Sequence, residues 1–152
     1  MTSSVIVDSV AGLWQRIGAE DAGALSETMG IEVLEAEPLR AVARMPVEGN
    51  TQPYRLLHGG ASCVLAETVG SIAAALHAGP NRIALGTELN ASHHLSAVGG
   101  YITAVATQVH GGRSAASYEV VISDDAGRRV CTARLTCAIR PRSEHAALRQ
   151  AQ

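Results

Sequence analysis

One carboxylate, Glu67, lies in a long stretch of the sequence that is otherwise almost free of charge. The stretch Ala61–His77 has the length of a helix, and Glu67 is its only acidic residue. Burying an unpaired carboxylate costs several kcal/mol, so packing alone does not favour a glutamate there. We therefore expect a chemical role for Glu67. The alternative is a structural ion pair with an arginine such as Arg55 or Arg82.

The residues around Glu67 suit attack on a carbonyl group. His58-Gly59-Gly60 precedes the helix, where free backbone N–H groups and the positive end of the helix dipole stabilise developing negative charge. Glycines there let a substrate approach the backbone closely. Ser71 follows Glu67 by one helical turn and shares its face. An oxyanion donor, a carboxylate and a hydroxyl together indicate hydrolysis or transfer of an acyl group.

A helical wheel separates the predicted helix into two faces. Large apolar side chains surround Leu65, and we assign the core stripe to Ala61, Thr68, Val69, Ile72 and Leu76. Glu67 falls nearly opposite Leu65, among small uncharged residues: Cys63, Gly70, Ser71 and Ala74. A solvent-facing helix would carry several charges on that side. The wheel therefore predicts that a second face is also covered, by loops of this chain or by another subunit.

The elements that would position these residues follow from periodicity. Two short strands, within 31–34 and 39–45, are joined by a turn at Glu37-Pro38, and a loop over 47–57 leads into the helix. Four extended segments come after it, at 82–94, 101–110, 115–123 and 129–140. Turns at 110–113 and 124–127 join the last three of them, and the segment 129–140 alternates, with Cys131, Ala133, Leu135, Cys137 and Ile139 on one face. This order predicts an α+β architecture with an antiparallel sheet packed on one long helix. One helix leaves the second sheet face open, so we also expect a dimer.

The chain as a whole fits one domain over residues 1–152. We expect residues 1–27 to form an N-terminal extension with a short helix around 13–17, and 143–152 to form a frayed tail. Hydrophobic residues make up 47% of the chain and charged residues 17%, with a net charge of −2. A globular protein without affinity for nucleic acid is therefore expected.

Cysteine usage and the chain's apolar segments predict a cytoplasmic location. Cys63, Cys131 and Cys137 are odd in number and lack paired spacing, so we expect reduced thiols, no disulfide and no metal site. The N-terminus lacks a basic segment followed by an apolar one, which argues against a signal peptide. The apolar stretch 59–76 contains Gly, Ser, Thr and Glu, so a buried helix is favoured over a membrane span.

The run from Gln52 to Ser71 resembles the signature of hotdog-fold acyl-CoA thioesterases. The resemblance is greatest to the group of the Arthrobacter-type 4-hydroxybenzoyl-CoA thioesterase and the 1,4-dihydroxy-2-naphthoyl-CoA thioesterase. Gln, His-Gly-Gly, Glu and Ser occur at the spacings of that group, and similar segments recur at 86–93, 125–128 and 136–139. The resemblance covers residues 28–142. It implies a hotdog fold, in which an antiparallel sheet wraps around one long central helix.

The same resemblance implies a role for each site residue. Glu67 would be the nucleophile or general base, and the Gly59 N–H and the Gln52 amide would polarise the thioester carbonyl. The other expected members are His58, which would orient Gln52 or the thioester, and Ser71 and His93, which would position water. Alternation along 82–95 puts His93 on the face of Ile83, Leu85 and Leu89 that meets the helix, unless a β-bulge exchanges the faces.

The expected substrate is an acyl-CoA, with no additional cofactor. Gly60, Arg113, Ser114, Arg140 and Arg142 are the candidate substrate-binding residues, the arginines for the CoA phosphates. Related sequences often carry Arg where this chain has Leu95, which puts the contacts to the nucleotide in doubt. The family further implies a homodimer with shared active sites that pairs into a homotetramer.

The acyl group is expected to be aromatic or medium in size, since Gly70 and Ala74 would leave room beside Glu67. Two other functions remain open from the residues alone. One is a hotdog dehydratase or hydratase, which would use His and Asp for proton transfer. The other is a non-catalytic module that binds acyl-CoA. The helix motif that contains Glu67 argues against the dehydratase or hydratase. Its carboxylate argues against the binding module, because it would add repulsion beside a bound thioester without helping binding.

Overall fold

The computed structural model describes residues 9–150, with the side chains of 145 and 147–149 excepted. The helices and strands of this part of the chain, in order, are α1 Leu13–Arg16, α2 Ala24–Met29, β1 Glu32–Ala36, β2 Arg40–Pro46, α3 Gly59–Ala78, β3 Arg82–His93, β4 Tyr101–Gly111, β5 Ala115–Asp124, β6 Arg129–Pro141 and α4 Arg142–Gln150. Residues 1–8, on which the prediction about a signal peptide rests, lie outside the described residues.

The strands form one antiparallel sheet of six strands in the order β1-β2-β4-β5-β6-β3. Helix α3 packs across one face of this sheet and contacts every strand. The predicted turns are present at Glu37–Arg40, at Gly112–Ala115 and at Asp124–Gly127. The arrangement confirms the predicted α+β class and the hotdog fold, with the sheet wrapped around a single long helix.

Helix α3 is 20 residues long because both of its ends are specified locally. At the start, the Gly60 N–H donates to Nδ1 of His58 at 2.8 Å, so the imidazole acts as the N-cap. At the end, Gly79 has a φ of 80°, which favours glycine, and Pro80 follows. By length and composition α3 could span a membrane, but half of its apolar window is buried inside the fold. It is the core helix.

The core lies between α3 and the inner face of the sheet. On the helix, Leu65, Ala66, Val69 and Ala73 are completely buried. On β6, the predicted alternation holds, and the inward-facing set is Cys131, Ala133, Leu135, Cys137 and Ile139. The contact is closest at Gly70, where a Cβ atom would lie 2.7 Å from Cδ2 of Leu135. Small residues on α3 therefore let the helix sit directly on the sheet.

The two edges of the sheet differ in how they are protected. Edge strand β1 has five residues, and its Glu32 and Glu35 pair with Arg44 and Arg40 of β2. Edge strand β3 has 12 residues and pairs only with β6 among the described strands. Its segment 83–87 carries no charge. A short edge with ion pairs resists further strand pairing, whereas a long, uncharged edge invites it.

The segment around α1 and the start of α4 pack against each other. Leu13 of α1 is buried in a small apolar cluster with Ala36 and Ile72, which confirms the predicted helix near 13–17. The tail differs from the frayed segment that we expected, because residues 142–150 form helix α4. Arg142 explains the difference at its start: its guanidinium donates to the carbonyls of Ile17, Gly18 and Pro80.

Because Gly70 lies against Leu135, we expect Gly70→Ala to lower the free energy of unfolding by about 1–3 kcal/mol through overpacking. Gly99→Ala is the control, since no atom lies within 4 Å of a Cβ at Gly99 and its φ is not in the left-handed region. Urea denaturation measures both variants. Equal stabilities for the two would contradict the close approach of α3 to β6.

Candidate active site

Glu67 lies on the exposed flank of α3, against edge strand β3. A Cβ atom on Gly86 would approach Oε1 of Glu67 to 2.6 Å, so a side chain there would displace the carboxylate from its present position. Gly86 therefore holds a place in the site that the sequence analysis did not assign to it. The available signal was a glycine inside a strand pattern, which often marks a close approach.

The wheel placed the faces of α3 correctly only in part. Leu65, Val69 and Ile72 are buried as predicted, and Glu67 lies on another side, where it is exposed in the described part of the chain and faces the N-terminal segment across a cavity. Cover by another subunit stays a prediction. Gly70 and Ala74 are buried against the sheet instead of facing an open space beside Glu67. The reason is that the small residues, centred on Ala66 and Ala73, face the sheet, and the larger ones flank them. Gly70 and Ala74 therefore provide no room for an acyl group.

The structural ion pair that was considered for Glu67 does not form within the described part of the chain. No arginine lies within salt-bridge distance of its carboxylate there. Arg82 instead donates to the carbonyls of Ala78 and Arg113. Within this part of the chain, the Glu67 carboxylate is therefore not held in a structural ion pair and is available for chemistry.

A first cavity, of about 320 Å³, lies at the N-terminus of α3. Gln52, Gly59 and His93 line it, and the imidazole of His93 lies against Gly59, with Nε2 3.0 Å from the position of a Cβ. Among the residues that the structure describes, no acceptor takes the Gly59 N–H. This N–H is a free donor at the positive end of the 20-residue helix.

The loop before α3 orients the Gln52 side chain as a donor. Its Oε1 accepts the Tyr54 N–H, so the amide NH₂ remains available to the first cavity. His58 has a different place from the one expected, because its Nδ1 caps the helix at Gly60. The Gly60 N–H is consequently occupied, and of the two glycines only Gly59 offers a free backbone donor.

A β-bulge in β3 brings His93 to the helix side of the sheet. The register with β6 shifts between Gly86 and Glu88, leaving Thr87 as the extra residue. Before the bulge Ala84 faces the core, and after it Leu89 and Ala91 do, so His93 shares their face. The predicted partners Ile83 and Leu85 are on the other face. His94 points away as expected, and its Nε2 lies 2.9 Å from Oγ1 of Thr132.

A second cavity, of about 350 Å³, contains Glu67 and Ser71. The hydroxyl oxygen of Ser71 lies 4.0 Å from Sγ of Cys137. The wall opposite α3 is formed by residues of the N-terminal segment: Trp14, Ile17, Ala19, Asp21, Ala22 and Ser26. The sequence analysis assigned no function to this segment, because its pattern is weak.

The expected site is thus split into two parts within one chain. Gln52, Gly59 and His93 line the first cavity, whereas Glu67 and Ser71 line the second. Gly59 and Glu67 are eight residues apart on the same helix, which separates them by about 12 Å along its axis. A single thioester carbonyl cannot contact both groups of one chain.

The candidate phosphate-binding residues lie at the far end of α3. There the carbonyl of Arg113 accepts from Arg82, and the carbonyl of Ser114 accepts from Arg140 at 3.4 Å. The side chains of Arg113 and Arg140 are exposed. The guanidinium of Arg140 also donates to the carbonyl of Ile139 at 3.0 Å, and that of Arg142 is engaged by three backbone carbonyls and is only half exposed. Leu95 is half exposed and lines the first cavity.

The cysteines near Glu67 are poor nucleophiles. Burial raises the pKa of the Cys63 and Cys137 thiols, and the negative charge of Glu67 raises both further, although the Ser71 hydrogen bond lowers that of Cys137. Burial and the neighbouring Cys63 raise the pKa of Cys131 to about 11. A thiolate is the reactive form, so the carboxylate is the stronger candidate for attack on a carbonyl.

Comparison with known proteins gives a consistent match. Residues 54–131 match the thioesterase superfamily. Over 134 residues the chain is 41% identical to the proofreading thioesterase EntH of Cronobacter turicensis, a match that covers 84% of this chain and 98% of that protein.

Solved structures agree in fold. A variant of a Pseudomonas aeruginosa thioesterase is 36% identical, with a TM-score of 0.76, over 85% of this chain and 94% of that one. A thioesterase of Staphylococcus aureus, solved with one glutamine replaced by alanine, is 35% identical, with a TM-score of 0.72, over 78% of this chain and 100% of that one. The same Staphylococcus aureus protein, solved with one glutamate replaced by alanine, is 36% identical, with a TM-score of 0.71, over 77% of this chain and 98% of that one.

The cysteine environments predict an order of alkylation. Cys63 is half-buried, whereas Cys131 and Cys137 are buried, so iodoacetamide at pH 8 should modify Cys63 first in the native protein. Peptide mass spectrometry follows the three sites over time, and the unfolded protein is the control, in which all three should react. Modification of Cys131 as fast as Cys63 in the native protein would contradict the described packing.

Proposed function

We propose that this chain, which belongs to the thioesterase superfamily and is a thioester hydrolase, cleaves an acyl-CoA with an aromatic or medium-sized acyl group to the free acid and CoA. The observation that carries the proposal is the pair of groups on α3: a free N–H at Gly59 and a carboxylate at Glu67, each opening into its own cavity. The substrate supplies coenzyme A, and the proposed reaction uses no further cofactor or metal.

The donors of the first cavity suit the developing oxyanion. As the thioester carbonyl becomes tetrahedral, its oxygen gains negative charge that the Gly59 N–H, the helix dipole and the Gln52 amide would stabilise. One such donor contributes about 3 kcal/mol to lowering a barrier of this kind. His93, beside Gly59, would hold the thioester or the water against these donors.

Glu67 would act on the carbonyl carbon. As a general base it takes a proton from water, the hydroxide adds to the carbonyl, and the C–S bond breaks to release the CoA thiolate, which then takes a proton. As a nucleophile it forms a mixed anhydride and releases CoA first, and water then hydrolyses the anhydride. Ser71, one turn along α3 and in the same cavity, would hydrogen-bond the attacking water in either case.

The spacing of substituted residues in a relative supports this pair. In the Staphylococcus aureus thioesterase, the glutamine and the glutamate replaced by alanine are at positions 32 and 47 of that chain, 15 residues apart. Gln52 and Glu67 have the same separation here. The finer likeness to the Arthrobacter-type 4-hydroxybenzoyl-CoA group remains part of the proposal.

The active site would be completed by two subunits. Residues 59 and 67 of one chain are about 12 Å apart along the axis of α3 and line different cavities, so a carbonyl bound at Gly59 would need the Glu67 of a second copy. Edge strand β3 is the expected contact, because it is long, lacks charge over 83–87 and has one unpaired side.

The geometry of β3 is compatible with this contact. Its His93 end lies against Gly59, and its Gly86 part lies against Glu67. A two-fold axis makes paired copies of β3 antiparallel. An axis between Leu89 and Asn90 would bring His93 of one copy opposite Gly86 of the other. The donors of each subunit would then lie beside the Glu67 of the other, which gives two complete sites per dimer. Two dimers could pair through the open sheet face into the expected tetramer.

Coenzyme A would extend from the first cavity over the protein surface. The exposed guanidinium groups of Arg113 and Arg140 are the candidates for its phosphates, whereas Arg142 is held by backbone carbonyls. Leu95 at the first cavity offers apolar contact where relatives often have a cation.

Replacement of the carboxylate should abolish turnover without unfolding the protein. We expect Glu67→Gln to lower kcat for acyl-CoA hydrolysis about 10²–10⁴-fold, since the amide neither attacks nor takes a proton. A thiol-detecting dye follows CoA release from a panel of acyl-CoAs. Glu32→Gln, at the far β1 edge, is the matched control. The proposal fails if the wild-type protein releases CoA from none of them, or if Glu67→Gln keeps full activity.

Mixing two inactive variants tests the sharing of the site. Glu67→Gln and Gln52→Ala chains, co-expressed with different tags, should form mixed dimers in which one of the two sites carries neither substitution. Random pairing makes half of the dimers mixed, so about a quarter of wild-type activity should return. A site built within one chain would give no such recovery, and sedimentation would show whether the chains associate at all.

A further inference from the structure

We infer that the N-terminal segment 13–29 forms the wall that selects the acyl group, limiting it to a compact, uncharged one, and that Arg142 fastens this wall. The inference rests on the proposed function, since it describes what occupies the cavity beside Glu67. It concerns a part of the chain that neither the oxyanion donors nor the catalytic carboxylate use.

The cavity beside Glu67 has two sides of different origin. Ile72 and Ala75 of α3 and Ala84 of β3 form one side, which belongs to the sheet and helix of the fold. The N-terminal segment forms the other side, where Trp14 and Ile17 are the largest side chains. The volume of about 350 Å³ suits a small ligand, and large apolar side chains bound it. An acyl chain that leaves Glu67 would therefore meet Trp14 and Ile17.

The lining is selective for charge as well as for size. Two carboxylates, Asp21 and Glu67, line the cavity, and none of its lining residues in the described chain is Lys, Arg or His. An acyl group that ends in a carboxylate would meet repulsion and find no partner for its charge. The remaining lining is mostly apolar, which favours an uncharged acyl group.

The wall is held in place at two points in its first part. Leu13 is buried against Ile72 and Ala36, next to Trp14. Arg142 donates to the carbonyls of Ile17 (2.7 Å) and Gly18 (3.1 Å), and also to that of Pro80 at the end of α3 (3.1 Å). The left-handed φ of 68° at Gly18 and its contact with the Arg142 guanidinium leave no room there for a side chain. Arg142 is thus a positioning residue for Ile17.

Substrate profiles test the wall. We expect Trp14→Ala to raise the ratio of kcat/KM for decanoyl-CoA to that for hexanoyl-CoA about tenfold. Ala75→Leu, which fills the cavity from α3 with a good helix former, should lower kcat/KM for benzoyl-CoA about tenfold relative to acetyl-CoA. For the wild-type protein, succinyl-CoA should react at least about tenfold more slowly than butyryl-CoA. Thermal melting confirms that each variant is folded.

Arg142 is tested with thioesters that lack phosphates. Arg142→Ala should raise the decanoyl-to-hexanoyl ratio for CoA thioesters and for N-acetylcysteamine thioesters alike, because it loosens the wall. If Arg142 instead bound the CoA phosphates, KM would rise for CoA thioesters only and the ratio would stay unchanged, which would overturn its assignment. Arg40→Ala, on β2 and paired with Glu35, is the matched control.

The outcomes separate the inference from the proposed function. Hydrolysis that requires Glu67, combined with unchanged substrate ratios in both Trp14→Ala and Ala75→Leu, would overturn the wall and leave the thioesterase proposal standing. Equal rates with succinyl-CoA and butyryl-CoA would overturn the selection for uncharged groups. Absence of hydrolysis of every thioester by the wild-type protein would overturn both.

Discussion

Helix α3 holds the two chemically active groups of this chain at a fixed separation. Its backbone hydrogen bonds separate residues 59 and 67 by about 12 Å along the helix axis, and close packing on the sheet prevents the helix from bending to bring them together. The other features follow from this spacing. The His58 cap defines where the free N–H lies, Gly86 makes space for the carboxylate, and an edge strand runs beside both.

Most of the fold could be predicted because its signals are local. Alternation in β6, glycine-containing turns and the long apolar run of α3 each depend on neighbouring residues in the sequence, and each appears in the structure. Helix α4 was missed for a physical reason: its first residue, Arg142, bonds to carbonyls more than 60 residues away, which no local pattern reveals.

The candidate site could be predicted in its residue types but not in its arrangement. Glu67 and Gly59 stand out by charge and by position at a helix start. Their division between two cavities depends on how the helix packs on the sheet. The wheel placed the helix face with Gly70 and Ala74 wrongly, because it weighted large side chains over the small ones that make the closest contact with the sheet. The bulge at Thr87 and the cavity wall at Trp14 likewise arise only from tertiary packing.

The unequal edges of the sheet bear on how far assembly through strands can go. Pairing of β3 with its own copy would use the long edge of both molecules, and what remains at each end is β1, five residues long and bordered by the Glu32–Arg44 and Glu35–Arg40 pairs. Such a ribbon of strands ends after two copies. The placement of four charges on one edge thus makes lateral growth finite, and protects the molecule from polymerising into an open-ended fibre.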